Sequence, residues 1–104
     1  NFEWDAVKAA TNLEVHGVDF ADAAVALEDE CALTMEDTRH DDEQRFVSLC
    51  LDPLARLLVV VYTWREDTIR IISARRATKN ETRRYEGEPC QTNTITDHHS
   101  EDRW

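Results

Sequence analysis

Residues 57–76, LLVVVYTWREDTIRIISARR, constrain the fold of this chain more than any other stretch. Two runs rich in β-branched and aromatic side chains are separated only by the turn around Glu66 and Asp67. Such composition favours strands over a surface helix. Parallel neighbours need a crossover of a dozen or more residues, so two strands joined this closely pair antiparallel. A hairpin this apolar must bury one sheet face against other elements, and the rest of the chain has to supply them.

Two further strands precede it, CALTME (31–36) and RFVSLCL (45–51), with RLLVVVYTW (56–64) and TIRIISAR (68–75) as the hairpin itself. Acidic or Asp-Pro breaks and short connections predict a meander. FEWD (2–5) reads as a short first strand, and AVKAATNLEVH (6–16) as a helix with Asp5 as N-cap and Gly17 just past its end. Ala6, Ala10 and Leu13 are expected on the packing side of that helix. Lys8, Asn12 and His16, at i, i+4 and i+8, share another side. A second helix starts at Asp19, with Asp22 three residues on and Phe20, Ala23, Ala24 and Leu27 along one face. Thr78 and Glu81 form a capping box ahead of a third helix through Tyr85, which Gly87 and Pro89 stop. The order β-α-α-β-β-β-β-α predicts an α+β fold: a twisted antiparallel sheet of about four main strands, two N-terminal helices packed on it, and a short C-terminal helix. Residues 1–86 form the domain and 87–104 a tail, in which QTNTIT has the composition to pair with a sheet edge.

At 104 residues the chain is one domain with a single core. No apolar run is long enough for a bilayer and no signal peptide precedes the first strand, so no membrane role and a cytoplasmic location are expected. Cys31, Cys50 and Cys90 are an odd number without C-x-x-C spacing. Neither a disulfide framework nor a zinc site is expected, and Cys31 and Cys50 read as small buried apolar residues in a reduced compartment. His98 and His99 with Cys90 lack the spacing of a closed metal site. Asp41, Asp42 and Glu43 do not match a calcium loop. No glycine-rich phosphate loop or serine-nucleophile motif is present. No cofactor or metal is expected.

The segments FEWD (2–5), Lys8, NLEVHGVDF (12–20), HDDEQRF (40–46), LLVVVYT (57–63), RIISARRAT (70–78) and ETRRYE (81–86) carry a resemblance. Together, and in this order, they resemble the BrnT toxins, the ribonuclease half of BrnT/BrnA type II toxin–antitoxin pairs, which have a RelE-like fold. The resemblance implies a metal-independent endoribonuclease that inhibits translation. It also implies neutralisation by a BrnA-like antitoxin with a ribbon-helix-helix DNA-binding part, so that DNA is met only through the antitoxin. Val15 stands where the family usually has lysine, and the acidic balance here differs from the family's basic one.

The formal net charge is -10, yet Arg65, Arg70, Arg75, Arg76, Lys79, Arg83 and Arg84 crowd one short stretch. These cations either neutralise nearby carboxylates or wait for a polyanion. Metal-free RNA cleavage needs help for the attacking 2′-OH, stabilisation of charge on phosphorus, and a proton for the leaving oxygen. Guanidinium groups suit the second task, because they bond phosphate oxygens in pairs and stay charged. Arg65, Arg70, Arg75 and Arg76 are the candidates, the first two close together if the hairpin forms. His16 is the candidate acid, since histidine titrates near neutrality and a helix C-terminus favours its cationic form. A capping histidine is the structural alternative. Tyr85 offers a hydroxyl or a stacking ring, with a core tyrosine as the alternative. Lys8, Asn12, Lys79, Arg83 and Arg84 are candidate RNA contacts. Trp4 and Trp64 read as structural, with base stacking as the other possibility. Two functions stand open: a toxin ribonuclease, or a catalytically weak module that mainly engages an antitoxin. The overall acidity argues against direct DNA binding.

Overall fold

The computed structural model describes residues 1–38 and 43–90. Its centre is the hairpin of β4 (Leu57–Arg65) and β5 (Thr68–Arg76), antiparallel as expected, with Arg65 opposite Thr68 and Leu58 opposite Arg76. The tight turn holds Glu66 at φ 58, the left-handed region that short hairpin loops require. Tyr62 faces Ile71 and Val61 faces Ser73, so Ile72 is an extra residue, a β-bulge.

β3 (Arg45–Leu51) pairs with β4, and β2 (Leu33–Asp37) with β3, both antiparallel. β1 (Phe2–Glu3) adds to the far side of β5, giving the order β1-β5-β4-β3-β2. The α+β class stands, with a refinement of the sheet. β1 runs parallel to β5, with Phe2 opposite Ile69 and Glu3 opposite Arg70, so the sheet is mixed and has five strands. The Ile69 amide donates to the Asn1 carbonyl at 3.0 Å, which fixes that short edge.

α1 (Ala6–His16) and α2 (Phe20–Ala26) lie on one face of the sheet. Asp5 caps α1 by accepting from the Val7 and Lys8 amides, which holds its carboxyl below the usual carboxylate range. Gly17 ends α1 in the left-handed conformation at φ 71, where a Cβ would be strained. Asp19 caps α2 through the Ala21 amide. Val18, Phe20, Ala23 and Ala26 pack on Cys50, Leu58, Val60, Tyr62, Ile71 and Ala74 to form the core. Trp4 meets Phe20 edge-on and Phe46 stacks on Tyr62, so Trp4 is structural. Burial pushes the Cys50 thiol up to about 12, with the charges of Asp29 and Asp52 adding to the effect.

α3 (Lys79–Gly87) starts with the expected capping box of Thr78 and Glu81 and lies near β3 on the opposite face. Its end corrects the reading of the cysteines. Cys90 returns to the turn between α2 and β2 and forms a disulfide with Cys31, across 59 residues of sequence. The odd cysteine is therefore the buried Cys50, while Cys31 is half of a bridge. Among the described residues no helix is long and apolar enough to cross a membrane. The segment QTNTIT, His98, His99, Asp41 and Asp42 lie outside the described residues.

Candidate functional site

α1 is rotated relative to the expectation from its apolar residues. Leu13 is 48 % exposed, Ala6 and Ala10 are also exposed, and Asn12 is 6 % exposed. The side carrying Lys8, Asn12 and His16 faces the sheet. The cause is Asn12 itself. Its Nδ2 donates to the Val18 carbonyl at 3.0 Å and to the Ala74 carbonyl at 2.8 Å, and its Oδ1 accepts from the Ala74 amide at 3.1 Å. β1 pairs with β5 only as far as Arg70, so the outward peptide groups of Ala74 have no strand beside them. The Asn12 carboxamide takes the place of a strand's peptide there. Asn12 is thus buried, and its amide groups are committed to the framework.

This rotation opens a cleft of about 350 Å³ between α1 and the bulge of β5, lined by Val7, Lys8, Asn12, Val15, His16 and Ile72. Lys8 and His16 are exposed along it, one near each end of the helix. Neither side chain makes an ion pair or hydrogen bond with another described residue.

Register decides where the arginines go. Leu58, Val60 and Tyr62 belong to the core, so their partners Arg76, Ala74 and Ile71 lie on the same face as α1 and α2. Arg65, Arg70 and Arg75 lie on the other face, as do their partners Thr68, Thr63 and Val59. Three of the four arginines have carboxylate partners. Arg70 Nη1 meets Glu3 Oε2 at 3.1 Å, and Arg65 Nη2 meets Glu43 Oε2 at 3.9 Å. Arg75 makes a two-pronged bond to Glu81, with both contacts at 2.9 Å, and also donates to the Arg76 carbonyl. Arg75 holds the Glu81 carboxyl down to about 2, helped by the Thr78 amide, while Glu81 in turn raises the Arg75 pKa. Arg75 thus ties β5 to the first turn of α3. Arg76 is exposed and its guanidinium has no partner among the described residues.

On α3, Arg83 Nη1 donates to Asn80 Oδ1 at 2.5 Å, and Lys79 and Arg84 are exposed without a carboxylate partner among the described residues. The Tyr85 hydroxyl donates to Asp29 Oδ2 at 2.5 Å. Burial raises the Tyr85 pKa and the Asp29 carboxylate raises it further. Burial works against the Asp29 charge, but bonds from Tyr85, the Cys31 amide and the Leu51 amide outweigh it and lower its pKa. The six candidate catalytic residues therefore do not form one constellation. His16 and Arg76 share the helix face, Arg65, Arg70 and Arg75 occupy the other, and Tyr85 is an anchor. Sequence reasoning missed Asp29 and the apolar walls of the cleft. The signal that was available is a lone asparagine midway between Lys8 and His16. Among the described residues, no three His, Cys, Asp or Glu side chains gather as a metal ion would need.

Comparison with known proteins places the chain. No curated protein sequence matches it significantly. The crystal structure of the Brucella abortus ribonuclease toxin BrnT matches with a TM-score of 0.58 at 23 % identity, over 75 % of this chain and 96 % of that one. That likeness shows a shared fold. The family model described as "Ribonuclease toxin, BrnT, of type II toxin-antitoxin system" matches residues 4–81, from Trp4 through α1, α2 and strands β2 to β5 into the start of α3. The chain belongs to the BrnT family of ribonuclease toxins of type II toxin–antitoxin systems.

Proposed function

We propose that this protein cleaves RNA without a metal ion, at the cleft between α1 and β5. The observation that carries the reading is the pattern of pairing among its cations. In a chain of net charge -10, Lys8, Arg76, Lys79 and Arg84 remain without a carboxylate partner among the described residues, while Arg65, Arg70 and Arg75 are neutralised. Lys8 and His16 border the cleft, and Arg76 ends the strand whose Ala74 is clamped beside it. In this reading the substrate's 2′ oxygen attacks phosphorus and the bond to the 5′ oxygen breaks. Cationic His16 gives its proton to that leaving oxygen. Arg76 stabilises the charge on the pentacoordinate phosphorus, and Lys8 holds a neighbouring phosphate. The products carry a 2′,3′-cyclic phosphate and a 5′-OH. Lys79, Arg83 and Arg84 extend the contact along the RNA backbone. Arg65, Arg70 and Arg75 support the fold instead of the reaction.

The partner is an antitoxin, in keeping with the family, and we propose a BrnA-like protein with a ribbon-helix-helix part, so that DNA is reached only through it. We propose that the protein acts in the cytoplasm, where cleavage of RNA inhibits translation.

The test is cleavage of single-stranded RNA in excess EDTA. His16→Ala should lose on the order of 100-fold, the usual worth of a positioned acid, and Arg76→Ala about tenfold or more. Arg70→Ala should stay within about twofold, because the half-buried Arg70–Glu3 pair lies on the sheet face away from the cleft. DNA and 2′-O-methyl RNA should remain intact. Activity that requires a divalent ion, or that survives His16→Ala and fails with Arg70→Ala, refutes the assignment. The competing reading, a module that mainly binds an antitoxin, is favoured by exposed, apolar Val15 on the cleft wall. It prevails if the purified protein leaves RNA intact and still binds antitoxin tightly.

A further inference from the structure

The segment from Thr78 to Cys90 is held to the body in an unusual way. α3 spans nine residues and none of them is buried. A helix this short is not stable alone, and most helices in proteins are held by an apolar face. α3 has no such face, since KNETRRYEG carries one large ring, that of Tyr85. Its attachments are concentrated at its two ends. The capping box and the Arg75–Glu81 pair fix the start. The Tyr85–Asp29 hydrogen bond and the Cys31–Cys90 disulfide fix the finish. The two end contacts are linked, because the Asp29 carboxylate that receives Tyr85 also accepts from the Cys31 amide. Beside the helix runs an apolar strip of Leu33, Met35, Val47, Leu49 and Val59, with a groove of about 110 Å³ bordered by Glu81 and Arg84. Leu49 and Val59 are 9 % and 6 % exposed, whereas Met35 at the open edge is 48 % exposed.

We infer that the Cys31–Cys90 disulfide is a redox-operated strap that fastens α3 over the apolar strip and, when reduced, lets the end of α3 lift away from it. Closing the strap removes two electrons and two protons from the pair of thiols. A small-molecule disulfide accepts them: one cysteine thiolate attacks it and expels a thiol, and the second cysteine resolves the mixed disulfide and expels the other. Opening reverses this with a dithiol, which is itself oxidised to a cyclic disulfide. Cys50 does not compete, because it is buried and its thiol is held protonated.

Hydrogen exchange on the full chain tests this, with the oxidised state confirmed by a single titratable thiol after unfolding. Dithiothreitol should speed exchange of the amides of residues 82–87 about tenfold or more, with those of β4 and β5 unchanged. Cys90→Ser should show the fast pattern with and without dithiothreitol. Equal protection of α3 in both redox states overturns the inference. Loss of protection throughout the sheet on reduction also overturns it, since the bridge would then be a global staple.

Discussion

Replacing Asn12 by alanine separates framework from ligand-binding roles at the centre of the cleft. The substitution deletes three hydrogen bonds, two from Nδ2 and one to Oδ1, in a position only 6 % exposed. It leaves the Ala74 amide, the Ala74 carbonyl and the Val18 carbonyl without these partners. A typical buried hydrogen bond contributes about 1 kcal/mol net, and an orphaned buried group costs roughly 1–3 kcal/mol. Water reaching the cleft offsets part of this, so Asn12→Ala should lose about 3 kcal/mol. Urea unfolding is the assay. With a slope of roughly 1–3 kcal/mol/M for a small protein in urea, the midpoint should fall by about 1–3 M. Asn12→Asp should be no better, because it keeps the acceptor for the Ala74 amide but sets a carboxylate against two carbonyl oxygens. A loss below about 0.5 kcal/mol, with RNA cleavage abolished in the folded variant, would show that the amide serves the substrate and that the reasoning is wrong.

Arg56 bonds Asp52 through Nε at 2.9 Å and Nη2 at 2.7 Å, and also reaches Asp22 and the Gly17 carbonyl. The Asp52 side chain is 0 % exposed, so Arg56→Ala should cost about 3 kcal/mol by stranding a buried carboxylate, and Asp52→Asn in the same chain should recover part of it in a double-mutant cycle. The Arg75 guanidinium holds the Glu81 carboxyl down to about 2 from its ordinary 4.5, so its contribution is fully present above the unfolded value and is lost as pH falls towards 2. Glu81→Gln should therefore lower stability at neutral pH by about 1 kcal/mol, discounted because the Arg75 partner is partly in water, and the gap to the wild type should close between about pH 5 and pH 2 in urea titrations.

Local signals in the sequence were read correctly because the chemistry that sets them is local. Asp5, Asp19 and Thr78 cap helices by bonding amides two or three residues away, and such spacing is visible in a single line of text. The hairpin was equally legible, since two β-rich runs and a short turn leave one way to pair. The rotation of α1 was not. Its apolar residues are few, and Val7 and Val15 end up 74 % and 66 % exposed. What orients the helix is an unpaired length of β5 whose Ala74 peptide groups bond Asn12, a contact 62 residues away. The Cys31–Cys90 bridge escaped for the same reason: nothing near either cysteine records that the end of α3 returns to the turn after α2.

The fate of the arginines depends on a single residue. Plain alternation along β5 puts Arg70, Ile72, Ala74 and Arg76 on one face and Ile69, Ile71, Ser73 and Arg75 on the other. The bulge at Ile72 breaks that parity. Ala74 and Arg76 join Ile71 on the helix face, and Arg75 moves across to the face of Arg70. Each consequence feeds the site. Ala74 now meets Asn12, which turns Lys8 and His16 towards the sheet. Ile72 becomes a wall of the cleft between them. Arg75 comes within reach of Glu81 and is consumed in holding α3. Arg76, one residue along, lies exposed on the face of His16. The extra residue in β5 thus sorts neighbouring arginines into one bound to Glu81 and one left exposed on the helix face.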